Sequence, residues 1–544
     1  MTTGDIKKIN LSTSHFERLI SYGQFYVDKT RLVEHFLDTS SDVILIARQR
    51  RLGKSLNMDM LRCFLTDRED MRHLFKGLYI EKSPVWEMAN SAPVFCFDFK
   101  SLDSKAYKLQ VVQQVNKHIY SVTDPRQLDG YYKDRYDSMM INPDFASSAL
   151  HILTEIVYET TGKRSYIFID EFDKLLMENF KSEHYNEIRS FMTALFSDAV
   201  KGNSYLEKAL LTGVLRISYE SMFSGLNNIE TFDVFKDETY TDDYGFTEEE
   251  VSAIGRLVDF NTDKLREWYN GVRINGKPIY NTYSVMSYMK NKEFGFYWGK
   301  SGTMDIITDL LNDNRRATIA RLLSGEEVEV SMSNRVSLVD LSGNASDQAF
   351  YSFLVQGGYL ALCRQSENQS TAWVSIPNVE LMRVWKEFIL EKLHPDTQGL
   401  RTLFDNIKNQ EVFACDIQLF LQDRLSYHDL AAASGESPRQ VQERVYHVFL
   451  LGLLSAYDST NSRRPKSNRE SGDGRSDIEV ERPEAYVVFE LKACKKEDDL
   501  EVIAEKALGQ IEAKRYGSDL ENSKPLVKVG IAFHGKQCCV KVAT

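Results

Sequence analysis

The sequence predicts an α/β chain whose first part is a doubly wound parallel sheet, and three of its stretches carry that expectation. Val43-Ile44-Leu45-Ile46-Ala47 is continuously apolar and largely β-branched, as a central parallel strand should be. Tyr166-Ile167-Phe168-Ile169 runs into Asp170-Glu171, a core strand with carboxylates at its C-terminal end. Ala209-Leu210-Leu211-Thr212-Gly213 is another apolar strand with a polar end, and Pro93 to Phe99 reads as a fourth. Helical runs separate these strands, and such sheets bind ligands at the strand C-termini.

The first strand leads into Arg48-Gln49-Arg50-Arg51-Leu52-Gly53-Lys54-Ser55-Leu56, after which Leu56, Met58, Met60, Leu61 and Phe64 recur at roughly helical spacing. Strand, basic turn and helix joined by Gly-Lys-Ser is the setting of a phosphate-binding loop. Its backbone N–H groups and the helix N-terminus face the phosphates, Lys54 reaches the β/γ-phosphates, and the Ser55 hydroxyl ligates Mg²⁺. The full pattern wants Gly at 48, where this chain has Arg48, so the turn must form around a side chain. Arg48, Arg50 and Arg51 add positive charge where an anion would sit. ATP with Mg²⁺ is the expected cofactor. Asp170 is expected to hold Mg²⁺, and Glu171 to orient or deprotonate the attacking water. A solvated acidic turn is the plainer alternative, and the partnership with Lys54 weighs against it. Thr212 would lie beside the phosphates. Arg216 would contact the γ-phosphate, a neighbouring subunit, or only solvent.

Length and composition bound the rest. A chain of 544 residues suggests several domain-sized units, and 42% hydrophobic with 27% charged residues is ordinary for soluble globular protein. The net charge of -12 does not predict nucleic-acid binding, so any such site must be a local patch. The N-terminal residues lack an apolar signal core, and no stretch approaches the ~20 apolar residues of a membrane helix. The seven cysteines are scattered without a CxxC pair, which argues against a zinc site or a disulfide framework and suits a reducing cytoplasm.

The pattern changes near residue 240, and the chain divides into 1–240, a middle region 241–398 and a C-terminal block 399–544. The middle is helical, with a hairpin near Asn275-Gly276 and two short strands near Tyr359 to Leu362 and Trp373 to Ile376. It is expected to form a helical, winged-helix-like lid. The last block reads α-β-β-β-α-β-β, given a short strand through 465–469. It holds Asp477 and, thirteen residues on, Glu490-Leu491-Lys492. Residues 490 and 492 of a strand share a face, so one carboxylate from each of two paired strands can meet the lysine. Two acids at one point bind Mg²⁺ through hard oxygens, and a lysine there stabilises charge on a phosphodiester. Glu443 could add a ligand, and Gln510 could touch metal-bound water or the phosphate backbone. Alone, Glu-x-Lys is more often a cross-face ion pair of an exposed strand. Here it ends an apolar strand, follows a Gly-rich basic segment and precedes a helix bearing Gln510, Lys514, Arg515 and Tyr516.

These two sites together resemble a family. Over nearly its whole length the chain resembles the prokaryotic AAA-ATPase-like proteins with a C-terminal PD-(D/E)XK nuclease domain. The matching stretches are Tyr26 to Thr30, Arg50 to Asn57, Ile169 to Asp173, Thr212-Gly213, Ser224 to Asn228, Trp268 to Gly271, Tyr280-Asn281, Ser467 to Arg475 and Phe489 to Lys492. The family also lacks the first loop glycine and often shows Arg-Pro-Arg-Arg-Phe-Gly-Lys; here Gln49 stands for the Pro and Leu52 for the Phe. Ser476 stands where the nuclease name has Pro. The resemblance implies a P-loop NTPase domain followed by a restriction-endonuclease-like α/β domain. It implies an NTP-binding switch joined to a metal-dependent nuclease acting on nucleic acid, DNA ahead of RNA, in an ATP-binding hydrolase that could form a homo-oligomer. The alternative is a nucleotide-dependent switch or scaffold that binds nucleic acid without cleaving it.

Overall fold

The computed structural model describes residues 2–3, 7–215, 229–258, 260–298, 303–323, 325–333, 339–341, 345–367, 370–393, 406–424, 446–447, 450–451, 454, 465–471, 474–482, 484–495, 497–517, 524–534 and 537–544. They form two compact units. One comprises Met1–Trp298 with Glu329–Asn378, the other Gly299–Val328 with Val379–Thr544. This division runs differently from the three segments read from the sequence, because residues 241–298 belong with the N-terminal sheet.

The first unit is built on β1 (Val43–Ala47), α1 (Lys54–Leu65), β2 (Val94–Asp98), α2 (Ala149–Thr161), β3 (Ser165–Asp170), α3 (Tyr185–Val200), β4 (Leu206–Gly213) and β5 (Ile229–Phe232). The strands order as β2-β3-β4-β1-β5, and every neighbouring pair is parallel. All five residues of β1 are buried, as expected for a central strand covered on both faces. Leu150 of α2 and Phe196 and Val200 of α3 close over Ile167, Ala209 and Leu211 on one face. The register pairs Ala47 with Gly213 and Asp98 with Asp170, so the strand C-termini form one level edge. The polar, tyrosine-rich stretch 122–143 contains a helix, Gly130–Ile141. Only Tyr136 and Met139 are buried there, so its apolar stripe is too thin to read by periodicity.

The same unit continues with α4 (Glu248–Val258), α5 (Thr262–Tyr269), a hairpin of β6 (Asn270–Ile274) and β7 (Lys277–Tyr280), α6 (Thr282–Asn291), α7 (Asp347–Gly357) and a second hairpin of β8 (Ala361–Gln365) and β9 (Thr371–Ser375). The first hairpin turns at Asn275 and Gly276, both with positive φ, the two-residue connection that suits twisted strands.

In the second unit α8 (Gln410–Arg424) precedes a five-stranded sheet of β10 (Lys466–Ser471), β11 (Gly474–Glu481), β12 (Tyr486–Ala493), β13 (Leu526–His534) and β14 (Gln537–Ala543), with α9 (Leu500–Ala513) between β12 and β13. Neighbours run antiparallel except β12 and β13, whose parallel pairing needs the α9 crossover. Strand alternation sorts the two faces. Val487, Phe489 and Leu491 pack with Phe413, Ile417 and Leu421 of α8 and with Tyr446, Leu450 and Leu454, while Val488 turns to Ile511 and Tyr516 on the α9 side. Among the described residues no helix is long and apolar enough to cross a membrane.

Candidate functional site

The turn after β1 is shaped by its outward anchors rather than by a first glycine. Arg48 is fully buried, donating to the carbonyls of Ala47 and Phe232 at 3.0 and 3.1 Å and ion-paired with Asp237. Burial pushes its guanidinium down to about 10, so without its acid this cation would be costly. Gln49 is buried and packs on Gly358 beyond α7. Arg51, at φ +66°, lies 4.1 Å over the Tyr283 ring and donates to the Tyr297 carbonyl. Three loop carbonyls are also held from downstream. Asn281 Nδ2 reaches Arg50 at 3.5 Å, Thr282 Oγ1 donates to Arg51 at 2.7 Å, and the Gly245 N–H donates to Leu52 at 3.0 Å. Gly53 then takes φ +86°, a left-handed conformation that strains any residue with a Cβ, and α1 begins at Lys54.

The expectation that Arg48 lends charge to an anion is therefore corrected, since its guanidinium is fully buried and paired with Asp237. Arg50 and Arg51 line a cleft of about 580 Å³ together with Leu52, Gly53, Lys54, Ser55, Leu56 and Glu171. Lys54 is buried and donates to the carbonyls of Arg48 and Gln49 at 2.9 and 2.8 Å. Burial lowers its pKa, opposed by Asp170, Asp173 and Glu171. The first N–H groups of α1 have no intrahelical partner and carry the positive end of the helix dipole.

Asp170 joins the sheet edge to the loop. Its Oδ2 accepts from the Ser55 hydroxyl, and its Oδ1 accepts from Thr212 Oγ1 at 2.5 Å and from the Glu171 N–H at 3.0 Å. Because β4 lies between β1 and β3, Thr212 falls between the loop strand and the acid strand. Glu171 adopts φ +50° at this corner. Asp173, 2% exposed, accepts from the Val214 and Leu215 N–H groups at 2.7 and 2.9 Å and so holds the chain leaving β4. Burial raises its pKa, and those two N–H groups pull it back. A hydroxyl touching a carboxylate beside a lysine is a hard-oxygen donor set that fits Mg²⁺. Arg216 and residues 224–228 lie outside the described residues.

The second constellation stands on the α9 face of the C-terminal sheet. The β11–β12 register pairs Ile478 with Phe489, and continuing it by one residue sets Asp477 across from Glu490. Asp477 Oδ2 accepts from the Leu491 N–H at 2.8 Å. Its pKa is raised by burial, against the pull of that N–H and of His447 and Lys492. Glu490 is 4% exposed and accepts from Gln510 Nε2; Lys492 Nζ stands 3.6 Å from Glu490 and donates to Gln510 Oε1 at 2.6 Å. Gln510 reaches these groups because α9 lies very close to the sheet. Gly530, opposite Glu490, faces Ala504 O and Leu508 N at distances that a Cβ would reduce to 2.5 and 2.6 Å. Glu443 lies outside the described residues. Four residues on, His447 Nε2 bonds the Asp477 carbonyl at 2.9 Å. The i, i+4 relation to Glu443 was the one sequence signal for that histidine. Asp237 had none. Among the described residues, no group of three or more His, Cys, Asp or Glu could hold a metal.

A parallel sheet with a Gly-Lys-Ser loop and an acidic strand end, followed by a mixed sheet bearing Asp…Glu-x-Lys, defines a nucleotide-binding, nuclease-type protein. Family comparison agrees: residues 10–223 match the model of a predicted AAA-ATPase and residues 441–543 that of the PD-(D/E)XK nuclease superfamily, so the chain carries a domain of each. It is also similar to a chain of Azotobacter chroococcum mcd 1, named as an uncharacterized protein in the vnfD 5' region. The two are 26% identical over 382 residues, which cover 68% of this chain and 67% of that one.

Proposed function

We propose that the first unit binds and hydrolyses ATP, and that its nucleotide state controls Mg²⁺-dependent cleavage of DNA by the C-terminal sheet. What carries this reading is the convergence of Asp477, Glu490 and Lys492 on one sheet face in a chain that also presents Lys54, Ser55 and Glu171 to one cleft. Ser55 and Asp170 would hold Mg²⁺ with the triphosphate, and Asp477 and Glu490 a second Mg²⁺. Magnesium bound there would neutralise phosphate charge and acidify water. Lys54 and the α1 N-terminus bind the phosphates, Glu171 takes the proton of the attacking water, and Thr212 keeps Asp170 oriented. At the other site Lys492 stabilises negative charge developing on the phosphodiester, and Gln510 holds Lys492 and Glu490 in place.

The test is plasmid DNA with pure protein and Mg²⁺, with and without ATP. Cutting is expected to fall by about a hundredfold or more in Lys492→Ala, and to lose its response to ATP in Lys54→Ala. Undiminished cutting by Lys492→Ala would remove this site from the mechanism. The second reading is a nucleotide-dependent switch or scaffold that grips nucleic acid without cutting. It predicts salt-sensitive binding without cleavage.

A further inference from the structure

Six cationic side chains line the nucleotide-sized cleft: Lys29, Arg50, Arg51, Lys54, Lys100 and Lys174. Four are already engaged. Lys29 pairs with Glu250 at 2.7 Å, Arg51 binds the Tyr297 carbonyl, Lys54 binds two loop carbonyls, and Lys174 pairs with Glu178 at 3.3 Å. Arg50 and Lys100 make no side-chain hydrogen bond or ion pair among the described residues, and they stand on different elements. Arg50 belongs to the phosphate loop. Lys100 follows β2, two residues beyond Asp98, which the register sets level with Asp170.

The main chain at Lys100 is anchored while its ammonium is not. The Lys100 N–H donates to Asp98 Oδ1 at 2.8 Å, and the Lys100 carbonyl accepts from Lys174 Nζ at 3.0 Å. The preceding Phe99 is fully buried and stacks on Phe196. An anchored backbone thus carries, from the end of β2, a cation without a side-chain partner among the described residues into the cleft that Glu171 also lines. Charge there matters for the phosphate farthest from the loop. A triphosphate brings one more charged group than a diphosphate, and that group lies on the side where hydrolysis occurs.

We propose that Lys100 binds the terminal phosphate in cis, making the cleft selective for the triphosphate and stabilising charge as the phosphoryl group transfers. The inference rests on the reading that this cleft takes ATP. Lys174 is a positioning residue that holds the Lys100 carbonyl.

The experiment compares wild type, Lys100→Ala, Lys100→Arg and Lys174→Ala by equilibrium binding of ADP and of a non-hydrolysable ATP analogue, both with Mg²⁺, followed by steady-state ATP hydrolysis. Lys100→Ala is expected to bind the triphosphate about tenfold more weakly, equivalent to about 1.4 kcal/mol, with ADP affinity nearly unchanged. Its kcat is expected to fall by more than its triphosphate affinity does, Lys100→Arg to recover part of both losses, and Lys174→Ala to show a smaller effect of the same kind. An unchanged triphosphate-to-diphosphate ratio in Lys100→Ala overturns the inference and leaves ATP binding standing. Wild type that binds neither nucleotide overturns both. Turnover per chain that rises with protein concentration, with Lys100→Ala unaffected, moves the role to a neighbouring chain and overturns the cis assignment.

Discussion

Arg48 occupies a position where phosphate loops ordinarily carry glycine, and its side chain is turned inward to Asp237. Truncating one partner of a fully buried pair strands the other charge. Arg48→Met is therefore expected to cost about 3–5 kcal/mol, read as a lower urea midpoint, while Arg48→Met with Asp237→Leu recovers most of that loss. His118 gives a pH signature. It lies between Phe95 and Phe97 and bonds the Cys96 carbonyl at 2.9 Å; burial lowers its pKa from 6.5 to about 4. Its folded pKa lies below its unfolded one, so the unfolded chain binds more protons between those values. Its contribution is complete above 6.5 and fades as pH falls through that window, with a slope of at most about 1.36 kcal/mol per pH unit. His118→Gln is expected to flatten the acid limb of the unfolding midpoint against pH. The residues readable from sequence were those whose chemistry is declared by near neighbours: Lys54 after glycine, Asp170 at a strand end, Glu490 two before Lys492. Arg48 was misjudged because its partner lies 189 residues on, and no local pattern reports that distance.

Elements were legible where burial was heavy. β1, β3 and β12 are apolar runs whose C-terminal ends marked where polar residues would collect, and α1 is marked by buried residues at helical spacing. The Gly130–Ile141 helix was missed because few of its residues face the core. The close fit of α9 to the sheet was not legible either, since Gly530 within an apolar strand does not say what approaches it. Gly530→Ala would drive a methyl into the backbone of Ala504 and Leu508. The expected cost is about 1–3 kcal/mol, with α9 displaced and Gln510 drawn off Glu490. Nuclease activity should therefore fall further than stability does, measured as cleavage rate and thermal midpoint on the same preparation.

For the whole molecule, ligand linkage separates the two units. Mg²⁺ with ATP at a hundredfold excess over its Kd is expected to stabilise the first unit by about 2.7 kcal/mol, seen as a shift in one melting transition while the other stays put. Lys54→Ala should abolish that shift. The two-domain order of the chain was legible because each sheet has its own hydrophobic run and its own acidic motif. The allegiance of residues 241–298 was not, because helices and a hairpin of that size suit a separate lid equally well.

That allegiance has a consequence for how the protein is born. Carbonyls of Arg50, Arg51 and Leu52 are clasped by Asn281, Thr282 and Gly245, and Arg51 itself leans on Tyr283. A nascent polypeptide emerging from the ribosome can therefore assemble its parallel sheet well before its phosphate grip is finished. A chain ending at residue 240 is expected to show strand and helix signals by circular dichroism yet to retain little nucleotide on a filter, and extension through Trp298 should restore that retention.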